Sequence, residues 1–210
     1  MKTLFAVLIS LITLTSFAQD NSYKHAMETA LEKLSQASTI NDYTDAANFF
    51  ERIAQIESSE WLPLYHAAHA WLIMGFMEED VLKKDPCFDK AQEFVDRALE
   101  IAPDESELYT LQAFIYPGRM SVDPMGRGPA LVGKMNETLD KAIRLNPDNP
   151  RSYYLQAVTL LNMPEAFGGG KAVAKPIFEK AREKFDQFQP QSPLWPNWGK
   201  ELNEAELLNL

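Results

Sequence analysis

His66 and His69 stand three residues apart in the apolar stretch WLPLYHAAHAWLIM, so on a helix their imidazoles share a face and offer two nitrogens to a metal ion. The nearest acidic cluster, Glu78, Glu79 and Asp80, lies some turns further on. No third ligand follows at a recognisable spacing, so packing or the lining of a groove is the expected role and no metal site is expected. Cys87 is a nucleophile in principle, but it follows Asp85-Pro86 at a helix start and reads as a half-buried structural thiol. Gly168, Gly169 and Gly170 precede Lys171, and backbone amides at such a place can cradle an anion. The stretch lacks the spacing of G-x-x-x-x-G-K-[ST] and no strand precedes it, so a turn that lets two backbones pass is the expectation. Arg119 and Arg127 sit in the turn-rich segment PGRMSVDPMGRGP, either as a carboxylate-holding pair or, more simply, as solvated loop charge. With 30 acidic residues, carboxylate pairs arise by chance and carry no acid/base signal. No catalytic residue is assigned, no cofactor is implied, and the expected function is not enzymatic.

The elements that must position these residues follow from composition and periodicity. The chain has 210 residues, 46% hydrophobic and 24% charged, an ordinary globular mixture. A formal charge of −10 lacks the cationic footprint that nucleic acid or an anionic membrane surface requires. One cysteine cannot make an intrachain disulfide. At the start, Lys2 precedes an apolar run from Leu4 to Phe17, and Ser16-Phe17-Ala18 fits a signal-peptidase site, so residues 1–18 read as a cleaved signal peptide. The run is shorter than the roughly 20 residues that span a bilayer. No cysteine follows it to carry a lipid. The expected product is exported, periplasmic or secreted, without a membrane span, and nothing in the sequence specifies an oligomeric state.

An internal repeat sets the architecture. Residues 93–113, EFVDRALEIAPDESELYTLQA, shifted by 44 meet residues 137–157, ETLDKAIRLNPDNPRSYYLQA, with identities that include Pro103/Pro147, Asp104/Asp148, Tyr109/Tyr153 and the triplet Leu111-Gln112-Ala113 against Leu155-Gln156-Ala157. Each copy reads as the end of one helix, a Pro-Asp turn and the start of the next. Ser106 and Asn149 are candidate caps for the helices that follow, with Pro150 suited to a first turn.

The same residues resemble the tetratricopeptide repeat. Its second helix carries A-x3-F-x2-A-x4-P, matched by Ala91, Val95, Ala98 and Pro103, by Met135, Leu139, Ala142 and Pro147, and by Ala174, Phe178 and Ala181, with a weaker copy at Ala46, Phe50 and Ile53. Its first helix, W-x2-L-G-x2-Y, is echoed by Tyr109, Gln112, Ala113 and Tyr116, by Tyr153, Gln156, Ala157 and Leu160, and by Leu64, Ala67, Ala68 and Trp71. The resemblance covers residues 27–186 and implies an all-α, right-handed solenoid of about four helix pairs. The domain is set at residues 19–188, and residues 189–210 form an extended Pro-rich segment and a C-terminal capping helix. The signal peptide, the Pro-Glu-x-Phe-Gly-Gly-Gly insert and the ending SPLWPNWGKE together resemble small exported members of that family.

A standard unit is about 34 residues, whereas Pro103 to Pro147 spans 44. The extra length falls inside the pairs, at residues 74–85, 117–128 and 163–170, so these inserts are expected as loops along one rim. In this family the first helices line a concave groove that holds peptides or partner helices. Carried over by position, the inward residues here are Tyr65 and His69, then Glu107 and Phe114, then Arg151, Tyr154, Val158 and Asn162, with Tyr65, Phe114 and Tyr154 as an aromatic row. The family's basic carboxylate clamp is largely absent. The resemblance therefore implies a protein or peptide partner in the cell envelope, held in this groove with Arg119, Arg127 and Gly168 to Gly170 as loop contacts. A competing arrangement has the inserts or the C-terminal segment fill the groove. The alternative function is a small-ligand carrier whose inserts at 117–128 and 163–170 close over the groove, a fainter likeness being to the T component of substrate-binding transporters.

Overall fold

The computed structural model describes residues 21–210, and the signal peptide assigned to residues 1–18 lies outside them. Among the described residues the backbone is helical throughout, without strands: α1 over 21–36, α2 (Ile40–Ile56), α3 (Leu62–Met77), α4 (Val81–Ile101), α5 (Ser106–Val122), α6 (Pro124–Leu145), α7 (Pro150–Asn162), α8 (Lys171–Gln187) and α9 (Lys200–Asn209). Consecutive helices pack on one another from α2 onward, most closely as the pairs α3 with α4, α5 with α6 and α7 with α8, and α9 closes the far end against α8. This is the all-α helical-repeat architecture expected from the 44-residue periodicity.

The repeat positions carry the packing. Ala91, Val95 and Ala98, then Met135, Leu139 and Ala142, then Ala174, Phe178 and Ala181, and Ala46, Phe50 and Ile53 are all buried. An alanine at one or both ends of each triplet lets partner helices approach, and the larger middle residue fills the seam. Tyr109 Oη donates to Pro103 O at 2.8 Å, and 44 residues later Tyr153 Oη donates to Pro147 O at 3.1 Å. One sequence repeat thus yields one repeated hydrogen bond, tying each helix start to the turn before it. Asn149 caps α7 as expected, but α5 is capped by Glu105; Ser106 instead donates from Oγ to Ala142 O, joining α5 to α6.

The inserts depart from expectation. The segment 117–128 is not a loop: α5 continues through Pro117 to Val122, only Asp123 intervenes, and α6 starts at Pro124 with the Asp123 side chain accepting from Gly126 N at 3.0 Å. The first insert behaves alike, α3 reaching Met77 and α4 starting after an Asp80 cap. Proline does not stop these helices because it lies near their outer ends. Pro86, Pro129 and Pro176 each occupy the sixth position of a second helix, where a lost hydrogen bond disturbs only the first turns. The extra residues therefore lengthen the pairs into projecting arms. Phe88 locks the arms together: a methyl group at Gly75 of α3 or at Gly118 of α5 would overlap its buried ring, so both glycines are demanded by close approach.

Candidate functional site

The concave face is divided into two halves. Its inner half is occupied by the chain's own C-terminal segment. After α8 the chain runs back extended, Leu194 O accepts a hydrogen bond from His66 Nε2 at 2.8 Å, and Trp195 meets Trp61 edge-on. Trp198 then drops into the row assigned to a partner. Its ring stacks on His69 and on Phe114, each with centroids 5.5 Å apart, touches Tyr154 edge-on, and its Nε1 donates to Tyr65 Oη at 2.8 Å. Gly199, at φ 104°, turns the chain away beside Phe185 and Arg151 and starts α9.

This corrects the expectation of an open groove at these residues. Tyr65, Glu107, Arg151 and Tyr154 are buried, and His69 and Phe114 are half-buried under the indole. The row binds a peptide, but an intramolecular one, because the Pro-rich segment is extended and already tethered beside the groove. Beneath it, Arg151 and Glu107 form a bidentate ion pair almost without exposure, Nε to Oε2 at 2.8 Å, with the Phe188 ring over the guanidinium at 4.5 Å. Truncating Trp198 to Ala should uncover Tyr65 and Phe114. The expected signature is a lower thermal midpoint with increased binding of a hydrophobic dye at unchanged helicity.

The two arginines assigned as loop contacts are engaged within the chain. Arg127 grips Asp85 of α4 with both terminal nitrogens, at 2.6 and 2.7 Å, and Arg119 pairs with Asp89 at 2.7 Å. The Arg127 guanidinium beside Asp85 holds that carboxyl below its ordinary range. Both pairs are braces that fix the α5–α6 arm to α4, and they replace the expectation of solvated loop charge. Gly168, Gly169 and Gly170 form a turn whose amides are used by the chain itself: Gly168 N to Glu165 O, Gly169 N to Pro164 O and Gly170 N to Leu160 O. Gly168 and Gly170 have φ of 84° and 100°, and a methyl at Gly169 would strike the Met163 carbonyl. The glycines are conformational requirements, and their own amides are spent inside the turn.

Cys87 is half-buried against Ala47, Ala70 and Met74, and burial raises its thiol pKa, the opposite of a nucleophile's environment. Burial likewise pushes His66 down to about 4 and His69 to about 3, with His66 and Arg151 adding repulsion at His69. Among the described residues no group of three His, Cys, Asp or Glu side chains is arranged to hold a metal.

The outer half of the concave face is open. A cleft of about 1010 Å³ lies between the α5–α6 arm and the turn that follows α7. One turn beyond Phe114 the row on α5 continues as Pro117, Met120 and Ser121, and beyond Tyr154 the row on α7 continues as Val158 and Asn162, all lining the cleft. Val158 and Asn162 are thus the inward residues of the assigned row that reach an open site. The opposite wall is the α6 face made by Gly128, Pro129, Val132, Gly133 and Met135, and Phe167 stands at the mouth, 78% exposed. No charged side chain and no His, Cys or Tyr lines this space. Sequence reasoning passed over Met120, Val132, Met135 and Phe167. The available signal was the uncharged run GPALVG after an insert rich in Met, an apolar face with no assigned partner.

The chain's overall shape has a counterpart. It is similar to the HusA haemophore from Porphyromonas gingivalis. The two share 29% sequence identity, with a TM-score of 0.80 over 89% of this chain and 92% of that one. A second solved structure, the MamA RS-1 ArsTM double mutant, is 16% identical over 79% of this chain and 95% of that one, and its TM-score of 0.35 is too low to bear on the site. No family model matches the chain, and no curated protein is similar to it. The cleft and the likeness are compatible with a non-catalytic binding module, and no helix among the described residues is long and apolar enough to cross a membrane.

Proposed function

We propose that this chain is an exported carrier for a flat, mainly apolar ligand of the porphyrin class, taken into the outer cleft. The observation that carries the reading is the cleft itself: at about 1010 Å³ it stands at the upper end of the range for small-molecule sites, and its walls are aliphatic, Pro and Met side chains. The likeness to a haemophore supplies the ligand class. The tetratricopeptide resemblance, with the arms lengthened by the inserts, supplies the scaffold, and the assigned signal peptide supplies the route out of the cell. A peptide ligand in the inner groove is the weaker reading, since it must first displace Trp198.

The chemistry of the lining defines how such a ring is held. With no imidazole, thiolate or phenolate in the cleft, affinity comes from apolar area removed from water, at about 25 cal/mol per Å² before the costs of association. Polar carboxylate edges of a porphyrin face outward, where solvent solvates them. Titrating the purified protein with iron protoporphyrin and with metal-free protoporphyrin, followed by Soret absorbance and tryptophan quenching, tests the reading. Both rings should saturate one site. Val158→Asp, which places a charge in the wall, should weaken both by at least about tenfold, or about 1.4 kcal/mol, at unchanged circular dichroism. Absence of saturable binding, or an unaffected Val158→Asp variant, would count against it.

A further inference from the structure

Resting on that reading, we infer that Gly133 is a specificity-determining residue: it keeps the α6 wall of the cleft flat so that a planar ring can lie against the helix backbone. Gly133 sits in the interior of the 22-residue helix α6, where glycine is the least favourable ordinary residue.

Three of the other helical glycines are explained by their neighbours. Gly75 and Gly118 make room for the Phe88 ring, and a methyl at Gly126 would collide with the capping carboxylate of Asp123. Gly128, on the same wall, likewise meets no atom within 4 Å, but it lies in the first turns of α6, where a glycine costs less than in the interior.

Gly133 has no such reason. It has helical backbone with no positive φ, and a methyl group built on it meets no atom within 4 Å. The space it would enter is the cleft. The fold therefore accepts alanine here, and the missing side chain serves whatever lies over the wall. Gly133 is flanked on that wall by Val132 and, one turn back, by Pro129, so the surface alternates a bare backbone patch with low apolar ridges. A rigid ring in van der Waals contact at about 3.5–4.0 Å from that backbone leaves no room for a branched side chain. A flexible or globular ligand could shift aside; a flat one spanning the cleft could not.

The test exploits opposite signs. Gly133→Ala in the ligand-free protein should raise Tm by about 2–4 °C, because it removes the entropic penalty of glycine without a clash. Gly133→Val should leave Tm close to the parent's, since valine is only slightly better than glycine in a helix. Bound to metal-free protoporphyrin, the order reverses: Gly133→Ala weakens binding and Gly133→Val weakens it by about tenfold or more. If the parent protein binds no protoporphyrin, the carrier reading fails and this inference with it. If the parent binds and Gly133→Val binds equally well, or if Gly133→Ala lowers Tm, the role given to Gly133 is overturned while the carrier reading stands.

Discussion

Replacing Arg151 by Met should destabilise this protein by about 3–5 kcal/mol, because it leaves the Glu107 carboxylate buried without its counter-charge. Both side chains are at most 2% exposed. The guanidinium is enclosed by Glu107 on one side and the Phe188 ring on the other, so neither water nor a neighbouring cation can take its place. A domain of this size has roughly 5–15 kcal/mol of stability, so the single change removes a large share of it. The double variant Glu107→Leu, Arg151→Met removes both charges together and should recover most of the loss, since a buried pair contributes little net stability over a well-packed apolar one. Urea titrations of the parent, both single variants and the double variant measure this directly through the shift in midpoint. A single variant as stable as the parent, or a double variant no better than the worse single, would contradict it.

That ion pair also shows where sequence reasoning reached and where it stopped. The 44-residue repeat placed Glu107 and Arg151, which are 44 residues apart, at equivalent positions on the concave side, and the structure brings them together across α5 and α7. Positional equivalence was readable because a solenoid stacks each repeat on the next, so residues one period apart become neighbours. The pairing of helices, the buried triplets and the cap at Asn149 are local or periodic features of the same kind. What covers the groove is neither local nor periodic. Trp198 reaches His69 and Tyr65 across more than a hundred residues, so from the sequence its segment is extended and Pro-rich, with a filled groove only the competing arrangement. The inserts were misread for a related reason. Gly and Pro density marks turns on average, yet here the prolines lie within helices near their outer ends, Pro117 in the last turns of α5 and Pro129 in the first turns of α6, and two of the glycines accommodate one ring, Phe88. These are tertiary reasons that no single segment displays.

The open cleft was invisible for a third reason. It exists because the arm 117–133 stands apart from the turn at 163–167, a separation set by braces on the far side of the arm, Arg127 on Asp85 and Arg119 on Asp89. The sequence places those arginines in a turn-rich insert. It does not reveal that their partners lie on α4, about thirty and forty residues earlier.

Acidification should unfold the molecule from the covered half of the groove. His66 is buried against Phe50, and its Nε2–H donates to Leu194 O, so the imidazole is neutral in the folded protein. Burial lowers its pKa from an ordinary 6.5 to about 4. Between those values the unfolded chain binds a proton that the folded chain does not. Stability is therefore fully present above pH 6.5 and is lost progressively as pH falls toward 4. At about 1.4 kcal/mol per pH unit, this one group costs about 3 kcal/mol by pH 4. His69 acts in the same direction, but its half-exposed edge lets water share the charge, so His66 dominates. Protonation keeps the Nε2–H donor to Leu194 O, so the loss comes from burying the charge, and water reaches the ring only if the segment that covers it lifts. Leu194 and the segment leading to Trp198 are held by His66, so the C-terminal strap should loosen before the helix pairs separate. Indole fluorescence of the strap, which carries Trp195 and Trp198, should change at a higher pH than far-ultraviolet circular dichroism does. Replacing His66 by Gln, which keeps an N–H donor near Leu194 and removes the titration, should flatten the fall in urea midpoint between pH 6.5 and pH 4.5. An equally steep fall in the His66→Gln variant would assign the acid sensitivity to the carboxylates instead, with Asp85 and its Arg127 brace the first place to look.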